Sequence, residues 1–389
     1  MVEQHQPSPA TKLPPPPGYG RDTLAEVLPS AASALGIPGF GNTLNLARTR
    51  RVNLVMVDGL GWNQLKANLA HAPFLRGLFD RAQRLTTGFP STTATSLSTL
   101  GTGLPPGDHG MLGYDVVDPA RRRVVNQLGG WPSDLDPEAW QPHSTMFEQI
   151  AAHGLHVATV SLGIFAKSAL TRAALRGPEF VAATSLAARS RATTEVFARH
   201  REALVYTYFN ELDKTGHKSG VDSDAWRETL EELDHTIKTM VSRLPEGTSV
   251  LITGDHGMVD VAESQRFDYS REPELIEGVE LTSGEPRGVQ LSFATSTSDA
   301  TRSAVREAWL RRYGTKAWVL TRKEAIDYGL FGSLREGVAG RLGDLMILAC
   351  EPVAFYDGRR VAPTAFEMVG QHGSLTAAER LVPLLVHRT

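Results

Sequence analysis

The stretch Arg51-Val-Asn-Leu-Val-Met-Val57-Asp58-Gly-Leu-Gly61 opens the part of the chain that decides the fold. Its first half is a short, mostly apolar run with the length of a buried strand, and an aspartate and two glycines end it. The same order of apolar run, turn and helical pattern recurs along the chain, which is typical of a parallel sheet with helices on both faces. Strands are predicted at residues 52–57, 156–161, 204–209 and 249–253, and helices at 146–153 and 223–244.

The pattern changes after residue 261, where further short strands surround one longer helix. The strands are predicted at 288–293, 317–321 and 344–349, and the helix at 299–313. We therefore predict an α/β fold with a mostly parallel central sheet flanked by helices, formed by residues 23–261 and 365–389. Residues 262–364 are predicted to form a small inserted α+β subdomain. Residues 1–22 contain a run of four prolines and are predicted to form a flexible arm.

The composition is that of an ordinary globular protein and excludes several classes of function. Hydrophobic residues make up 41% of the 389 residues and the formal net charge is -3, so the sequence carries no electrostatic footprint for nucleic acid. No apolar run approaches the about 18 residues of a membrane span, and residues 1–20 lack the features of an export signal, so a cytoplasmic location is expected. The single cysteine, Cys350, excludes a thiolate-rich metal site, so any metal would need His, Asp or Glu ligands.

Acidic residues and histidines follow several of the predicted strands, each near a glycine. In parallel sheets ligands gather at the carboxyl ends of strands, and glycine lets the backbone turn sharply there. Six such side chains would supply three ligands to each of two ions and leave positions open, which is the pattern of catalytic metal sites. The six are Asp58, Asp213, His217, Asp255, His256 and His372. Taken alone, Asp58 would also suit a helix cap, and His217 a solvated loop.

A second pattern is the hydroxyl-rich segment Gly88-Phe-Pro-Ser-Thr-Thr-Ala-Thr-Ser-Leu-Ser-Thr-Leu-Gly-Thr-Gly103. It is predicted to form a helix that opens after Pro90 and ends at Gly101. A hydroxyl at a helix N-terminus lies beside free backbone N–H groups that suit a bound phosphate, and a metal ion lowers the pKa of such a hydroxyl. The segment therefore contains a candidate nucleophile, with a Ser/Thr-rich capping turn as the structural alternative.

These motifs, in this order along the chain, resemble the alkaline phosphatase superfamily, and within it the nucleotide pyrophosphatase/phosphodiesterase branch. The resemblance covers about residues 50–262 and 365–375. It implies an alkaline-phosphatase-like fold and a metal-dependent hydrolase that cleaves phosphodiester or nucleotide pyrophosphate bonds of small molecules. The reaction would pass through a covalent phosphothreonine.

The resemblance also implies a distribution of two divalent ions, zinc or alternatively manganese. One ion would be held by Asp213, His217 and His372. The other would be held by Asp58, Asp255, His256 and the nucleophilic threonine.

Two positions depart from the pattern of that branch. The sequence Gly88-Phe-Pro-Ser91 stands where Thr-Phe-Pro-Asn is common, so the nucleophile is placed instead by counting back from Thr102-Gly103, which selects Thr93. Thr92 is the alternative, since helix starts are uncertain by one or two residues. Tyr114 stands where the branch usually has a phosphate-contacting asparagine, and it is predicted to bind substrate.

Two other classes of function stay open at the level of the sequence. A phosphomonoesterase or phosphomutase-like enzyme of the same superfamily would need an extra cation, and Arg172, Lys214 or a residue of the insertion could supply it. A non-catalytic metal- or nucleotide-binding protein that retained the site is the alternative outside enzymes. Sulfatase chemistry is disfavoured because the Cys/Ser-x-Pro-x-Arg motif is absent.

Overall fold

The structure is a computed structural model that describes residues 12–389. In this range the strands are β1 (Arg51–Val57), β2 (Gln83–Thr86), β3 (Asp115–Asp118), β4 (Arg123–Asn126), β5 (His156–Ser161), β6 (Glu179–Ala182), β7 (Ala203–Phe209), β8 (Thr248–Thr253), β9 (Val259–Asp260), β10 (Arg266–Asp268), β11 (Val279–Glu285), β12 (Gly288–Phe293), β13 (Ala317–Thr321), β14 (Leu345–Ala349), β15 (Ala354–Tyr356), β16 (Gly370–Gln371) and β17 (Leu381–Arg388).

Helices connect most of these strands, and short 3-10 turns complete the connections. The α-helices are α1 (Val27–Ala34), α2 (Trp62–Ala67), α3 (Pro73–Phe79), α4 (Thr93–Thr102), α5 (Pro106–His109), α6 (Pro137–Trp140), α7 (Met146–Ala152), α8 (Ala169–Ala174), α9 (Leu186–Arg199), α10 (Glu211–Ser219), α11 (Asp224–Val241), α12 (Asp299–Tyr313), α13 (Arg322–Asp327) and α14 (Ala377–Arg380). None of the helices described is long and apolar enough to cross a membrane.

The main domain is built on a seven-stranded sheet with the order β2-β17-β8-β1-β7-β5-β6. Strand β17 runs antiparallel to both of its neighbours, while β8, β1, β7, β5 and β6 are parallel. This confirms the predicted mostly parallel central sheet. The four strands predicted in this domain, now β1, β5, β7 and β8, are present with ends within one residue of the prediction.

The sheet is buried on both faces because β1 and its neighbours are apolar almost throughout. Successive side chains of a strand point to opposite faces, so Leu54 and Met56 pack into one hydrophobic cluster and Val55 and Val57 into the other. Helix α4 belongs to the first cluster and helix α11 to the second. The carboxyl ends of the strands are thereby held in a rigid frame.

The predicted insertion contains a second sheet with the order β13-β14-β12-β11-β3-β4, and all its pairs are antiparallel. Helix α12 packs on it through the fully buried Trp309. The hairpin β3–β4 comes from outside residues 262–364 and joins this sheet where Asp115 pairs with Gly284. The two ends of the insertion meet where β9 pairs with β16, next to His372.

Residues 1–11 of the predicted flexible arm lie outside the described part of the chain. Residues 12–22 contact both the main domain and the predicted insertion. Tyr19 OH donates to Leu330 O at 2.9 Å and accepts from Phe89 N at 3.3 Å, and Arg380 donates to Pro15 O at 2.6 Å. These contacts tie residues 12–22 to the segment that leads into α4, to Leu330 of the predicted insertion and to α14.

Candidate active site

The site forms where three neighbouring parallel strands end. In the order β8-β1-β7 the last residues are level with one another, because Val57 pairs with Phe209 and Met56 pairs with Thr253. The residues that follow these strands therefore meet at one edge of the sheet. They include Asp58 after β1, helix α10 after β7, and the Asp-His pair after β8.

The six predicted ligands come together as two groups of three. Within each group, one possible ligand atom per residue lies within 4.8 Å of the others. In the first group Asp213 Oδ1 is 3.3 Å from His217 Nε2 and 4.0 Å from His372 Nε2. In the second group, Asp58, Asp255 and His256, the distances from His256 Nε2 are 3.4 Å to Asp58 Oδ1 and 3.6 Å to Asp255 Oδ2.

The two groups are adjacent to each other. The rings of His256 and His372 stack with their centroids 3.6 Å apart. The division into groups is the one that the resemblance implies for two metal ions. Residues from four separate parts of the chain thus form one continuous cluster.

Backbone carbonyl groups orient the three imidazole rings. Nδ1 of His217 is 2.8 Å from Gly370 O, Nδ1 of His372 is 2.9 Å from Ser91 O, and Nδ1 of His256 is 3.1 Å from Gly257 O. An N–H at Nδ1 that donates to such a carbonyl leaves Nε2 with a free lone pair. In all three rings this Nε2 faces the carboxylates, which is the orientation that a metal ligand requires.

The pKa values of the clustered aspartates and histidines also suit the binding of divalent cations. Burial raises the pKa of Asp213 to about 7, with the charge of Asp58 adding to it, and burial raises that of Asp255 to about 7. Burial and the charge of Asp255 hold the pKa of Asp58 well above its usual range. Burial lowers the pKa of His256 to about 4. Burial and the nearby His256 hold the pKa of His372 well below its usual value. Neutral imidazoles among crowded carboxylates are the donor set that a divalent ion stabilises.

One buried oxygen of each of the three aspartates has no hydrogen-bond partner in the protein. These atoms are Asp58 Oδ1, Asp213 Oδ1 and Asp255 Oδ2. A buried carboxylate oxygen without a partner is costly unless a cation binds it. The residues therefore fit two divalent ions.

The raised pKa values of Asp213 and Asp255 lead to a first prediction. In the metal-free protein their contribution to stability is present near pH 4 and is lost as the pH rises through about 7, since burial penalises the ionised form. Metal ions bind the ionised form, so the increase in melting temperature on adding zinc or manganese should grow from about pH 6 to about pH 8. Thermal denaturation with a chelator and with each metal measures this. Asp213→Asn should weaken the pH dependence, and a metal-induced increase that is equal at both pH values would contradict the prediction.

Thr93 lies beside the second group. It is the first residue of α4, and its Oγ1 is 3.2 Å from His256 Nε2. Thr92 is the N-cap residue and also lines the cavity, but no hydrogen bond joins it to the six residues. Thr95 Oγ1 is buried without a partner and lies outside the cavity lining. The helix ends one residue later than predicted, at Thr102, followed by Gly103 with a left-handed φ of 68°.

A cavity of about 620 Å³ adjoins the site. Asp58, Thr93 and the three residues of the first group line it on one side, and Tyr114 lines it with 41% of its surface exposed. Residues 262–364 also contribute to the lining, through Tyr269, Ser283, Glu285, Phe355 and Arg360. Lys214 also lines the cavity, whereas Arg172 forms ion pairs with Asp136 and Glu138 and does not line it.

Two contacts near the site could not be predicted from the sequence. Tyr208 OH donates to Asp58 Oδ2, although Tyr208 looks like an ordinary strand aromatic. Glu285 is buried, which holds its pKa well above the usual range, and its Oε2 accepts from Tyr114 N at 3.1 Å. No local pattern connects residues so far apart in the sequence. The first contact lies within the main domain, and the second joins that domain to residues 262–364.

A buried ion pair joins the insertion to the loop that carries His372. Arg287 Nε donates to Glu379 Oε1 at 2.7 Å and Arg287 Nη2 donates to Glu379 Oε2 at 2.8 Å, and neither side chain is exposed. Glu379 Oε1 also accepts from Ser374 N at 3.0 Å. The pair thus fixes the chain two residues after His372.

Solved structures with the same fold include hydrolases of phosphate and phosphonate compounds. Murine ectonucleotide pyrophosphatase/phosphodiesterase 5, an inactive threonine-to-alanine variant in complex with AMP, has a TM-score of 0.68 at 17% identity, covering 87% of this chain and 88% of that one. Phosphonoacetate hydrolase from Sinorhizobium meliloti 1021, in complex with phosphonoacetate, has a TM-score of 0.67 at 18% identity, covering 87% and 90%. Both are members of the alkaline phosphatase superfamily.

Sequence comparison points the same way. Ectonucleotide pyrophosphatase/phosphodiesterase family member 7 of Rattus norvegicus is 34% identical over 70 residues, and the protein of that name from Mus musculus matches equally. The aligned part is 17% of this chain and 16% of those relatives. The sequence profile described as type I phosphodiesterase / nucleotide pyrophosphatase matches residues 52–375. The chain belongs to the type I phosphodiesterase / nucleotide pyrophosphatase family, in the alkaline phosphatase superfamily.

Proposed function

We propose that this protein hydrolyses phosphodiester or nucleotide pyrophosphate bonds of small molecules, with two divalent metal ions and a covalent phosphothreonine at Thr93. The observation that carries the proposal is the position of Thr93 Oγ1, 3.2 Å from His256 Nε2 and beside two adjacent groups of three ligands. Family membership and the AMP-bound structure with the same fold support it.

The two groups of ligands would hold the ions, zinc being the first candidate and manganese the second. Asp213, His217 and His372 would hold one, and Asp58, Asp255 and His256 with Thr93 the other. Such ions supply positive charge to the phosphoryl oxygens and lower the pKa of a hydroxyl bound to them. The carboxylate and imidazole donors suit both metals.

The protein itself positions the nucleophile and the groups that bind the phosphoryl oxygens. Thr93 is the first residue of α4, so its hydroxyl lies next to backbone N–H groups that have no partner within the helix and can donate to a phosphoryl oxygen. In the proposed first step the Thr93 oxygen loses its proton and forms a bond to phosphorus, while the bond from phosphorus to the leaving oxygen breaks and that oxygen takes a proton. Water then attacks phosphorus and restores the threonine.

Phosphomonoester hydrolysis is the second candidate, because Lys214 lines the cavity. A monoester carries one more negative charge than a diester, and a lysine there would offset it. Tyr114, at the rim of the same cavity, would contact the substrate in either case.

The choice between the two reactions gives a second prediction. After reconstitution with zinc or manganese, kcat/KM for bis(p-nitrophenyl) phosphate should exceed that for p-nitrophenyl phosphate by about tenfold or more, since a diester needs no additional cation. Lys214→Ala should leave the diester reaction nearly unchanged. A higher kcat/KM for the monoester, lost in Lys214→Ala, would favour the second candidate. If neither ester is hydrolysed, both candidate reactions are contradicted.

A further inference from the structure

A fully buried arginine contacts the link between β7 and α10. Arg189 of α9 is not exposed, and its Nη1 donates to Tyr208 O at 3.2 Å. Its Nη2 donates to Glu211 Oε1, and its guanidinium carbon lies 5.0 Å from the centre of the Phe209 ring. The pairing of β7 with β5 ends at Thr207, and Arg189 supplies a donor to the next carbonyl of β7. One side chain thus contacts three of the four residues in this link.

The link between β7 and α10 leads directly to ligands of both groups. Tyr208 OH donates to Asp58 Oδ2 in the second group. Helix α10 begins at Glu211 and carries Asp213 and His217 of the first group. A change in the angle at which α10 leaves β7 would therefore move two ligands of the first group relative to the second group.

Helix α10 has few apolar anchors of its own. It has nine residues, of which only two are buried. A helix of that length is marginal in water unless contacts with the rest of the protein hold it. At about 100° per residue, Asp213 lies about 200° and His217 about 240° around the helix from Glu211. Arg189 therefore holds the helix from the side opposite to its two ligands.

Stability alone does not account for an arginine in this position. Arg189 Nε is buried without a hydrogen-bond partner among the described residues, so the guanidinium is incompletely satisfied. A buried ion pair often contributes no more stability than apolar side chains of similar volume. The planar fork of an arginine, by contrast, fixes the direction of each hydrogen bond that it donates. Glu211 is 30% exposed, so water can solvate its carboxylate if the arginine is replaced.

We propose that Arg189 is a positioning residue, which sets the orientation of α10 so that its two ligands meet His372 around one ion. Arg189 itself does not line the cavity. It acts through Glu211, whose second oxygen, Oε2, accepts from Asn210 N at 3.1 Å and ties the same carboxylate to the start of the helix. This inference rests on the two-ion site of the proposed function and extends it to a residue outside the site.

The first test measures hydrogen exchange in the metal-free full chain. Arg189→Met should raise the exchange rates of the α10 amides about tenfold or more, while those of α11 and the melting temperature stay close to the wild type. Arg189→Lys should give a smaller increase, because a lysine keeps the charge but lacks the fixed fork. Unchanged exchange of the α10 amides in Arg189→Met would overturn the inference.

Thr193→Val is the matched control for this measurement. Thr193 is buried one turn further along α9, and its hydroxyl contacts Thr207 and the helix backbone. It does not contact the link between β7 and α10, so its loss should leave the exchange of α10 unchanged. An increase in Thr193→Val as large as that in Arg189→Met would also contradict the role assigned to the arginine.

Zinc titration of the metal-free chain by calorimetry gives the second test. Arg189→Met should weaken the ion held by the first group about tenfold and leave the ion of the second group within about twofold of the wild type. Asp213→Asn disables the first group, so adding Arg189→Met to it should not change the affinity for the remaining ion further. Equal weakening of both ions would indicate a general loss of structure and would overturn the inference.

Glu211→Gln tests the same pair from its partly exposed end, and it decides the question if Arg189→Met does not fold. It should raise the exchange of α10 and weaken the first ion, each by about threefold. At saturating zinc, both variants should lower kcat for bis(p-nitrophenyl) phosphate and change KM by no more than about twofold.

The inference and the proposed function fail separately. If the wild type binds no zinc, the proposed function is contradicted, and the exchange rates of α10 still decide the role of Arg189. If the wild type binds zinc and hydrolyses the ester, and both variants behave like it, only the role of Arg189 is contradicted.

Discussion

Replacing Thr93 with alanine is expected to abolish the phospho-enzyme and to lower kcat for the diester by about three orders of magnitude or more. The reason is that Oγ1 of Thr93 is the only hydroxyl hydrogen-bonded to the six clustered side chains among the threonines of α4 and its N-cap. Metal content should stay close to that of the wild type, since Asp58, Asp255 and His256 remain. Rapid-quench kinetics, mass spectrometry of the trapped peptide and metal analysis measure the three quantities.

Thr92→Ala is the matched control for this experiment. Thr92 has an extended backbone, and its side chain makes no capping hydrogen bond to α4, so its loss should leave the helix and most of the turnover intact. Near-normal turnover in Thr93→Ala together with a large loss in Thr92→Ala would move the nucleophile by one residue.

Replacing Glu379 with alanine is expected to lower the free energy of unfolding by about 3–5 kcal/mol, because it leaves Arg287 charged and unpaired in a fully buried position. The same substitution removes the acceptor for Ser374 N and should weaken metal binding by the group that contains His372. Denaturant titration and metal titration measure these effects.

A double-mutant cycle separates the pair from its surroundings. Arg287→Met combined with Glu379→Ala should lose much less stability than the sum of the single variants, because no unpaired charge remains. Asp327→Ala breaks the exposed pair of Lys323 and Asp327 and should cost no more than about 1 kcal/mol. A loss in Glu379→Ala as small as that of this control would contradict the assigned role.

The sequence predicted the parts of this protein that depend on local pattern. Strands β1, β5, β7 and β8 are apolar runs of the right length, and helices α11 and α12 follow their periodicity. Five of the six ligands could be predicted because residues after neighbouring parallel strands meet at one edge of the sheet. His372 follows β16, outside that sheet, and was predicted from the glycines beside it. The hydroxyl-rich helix α4 could be predicted because a proline precedes it and glycines lie at its end.

Contacts between residues far apart in the sequence could not be predicted in this way. The hairpin β3–β4 looks like part of the main domain, and only its pairing with β11 assigns it to the second sheet. Arg287 and Glu379 are 92 positions apart, and each alone resembles a surface residue. Residues 12–22 suggested a free proline-rich segment, yet Tyr19 holds them against Phe89 and Leu330.

The placement of β17 between β2 and β8 affects how the chain folds during its synthesis. Until residues 381–388 have been synthesised, β8 has an open edge on the side that β17 will occupy, and β2 has no partner from the central sheet. An open apolar edge invites pairing with other chains, so the nascent protein is most exposed to aggregation during this interval. Because His372 also follows β8 in the chain, the group with Asp213 and His217 gains its third member only after residue 372 has been synthesised.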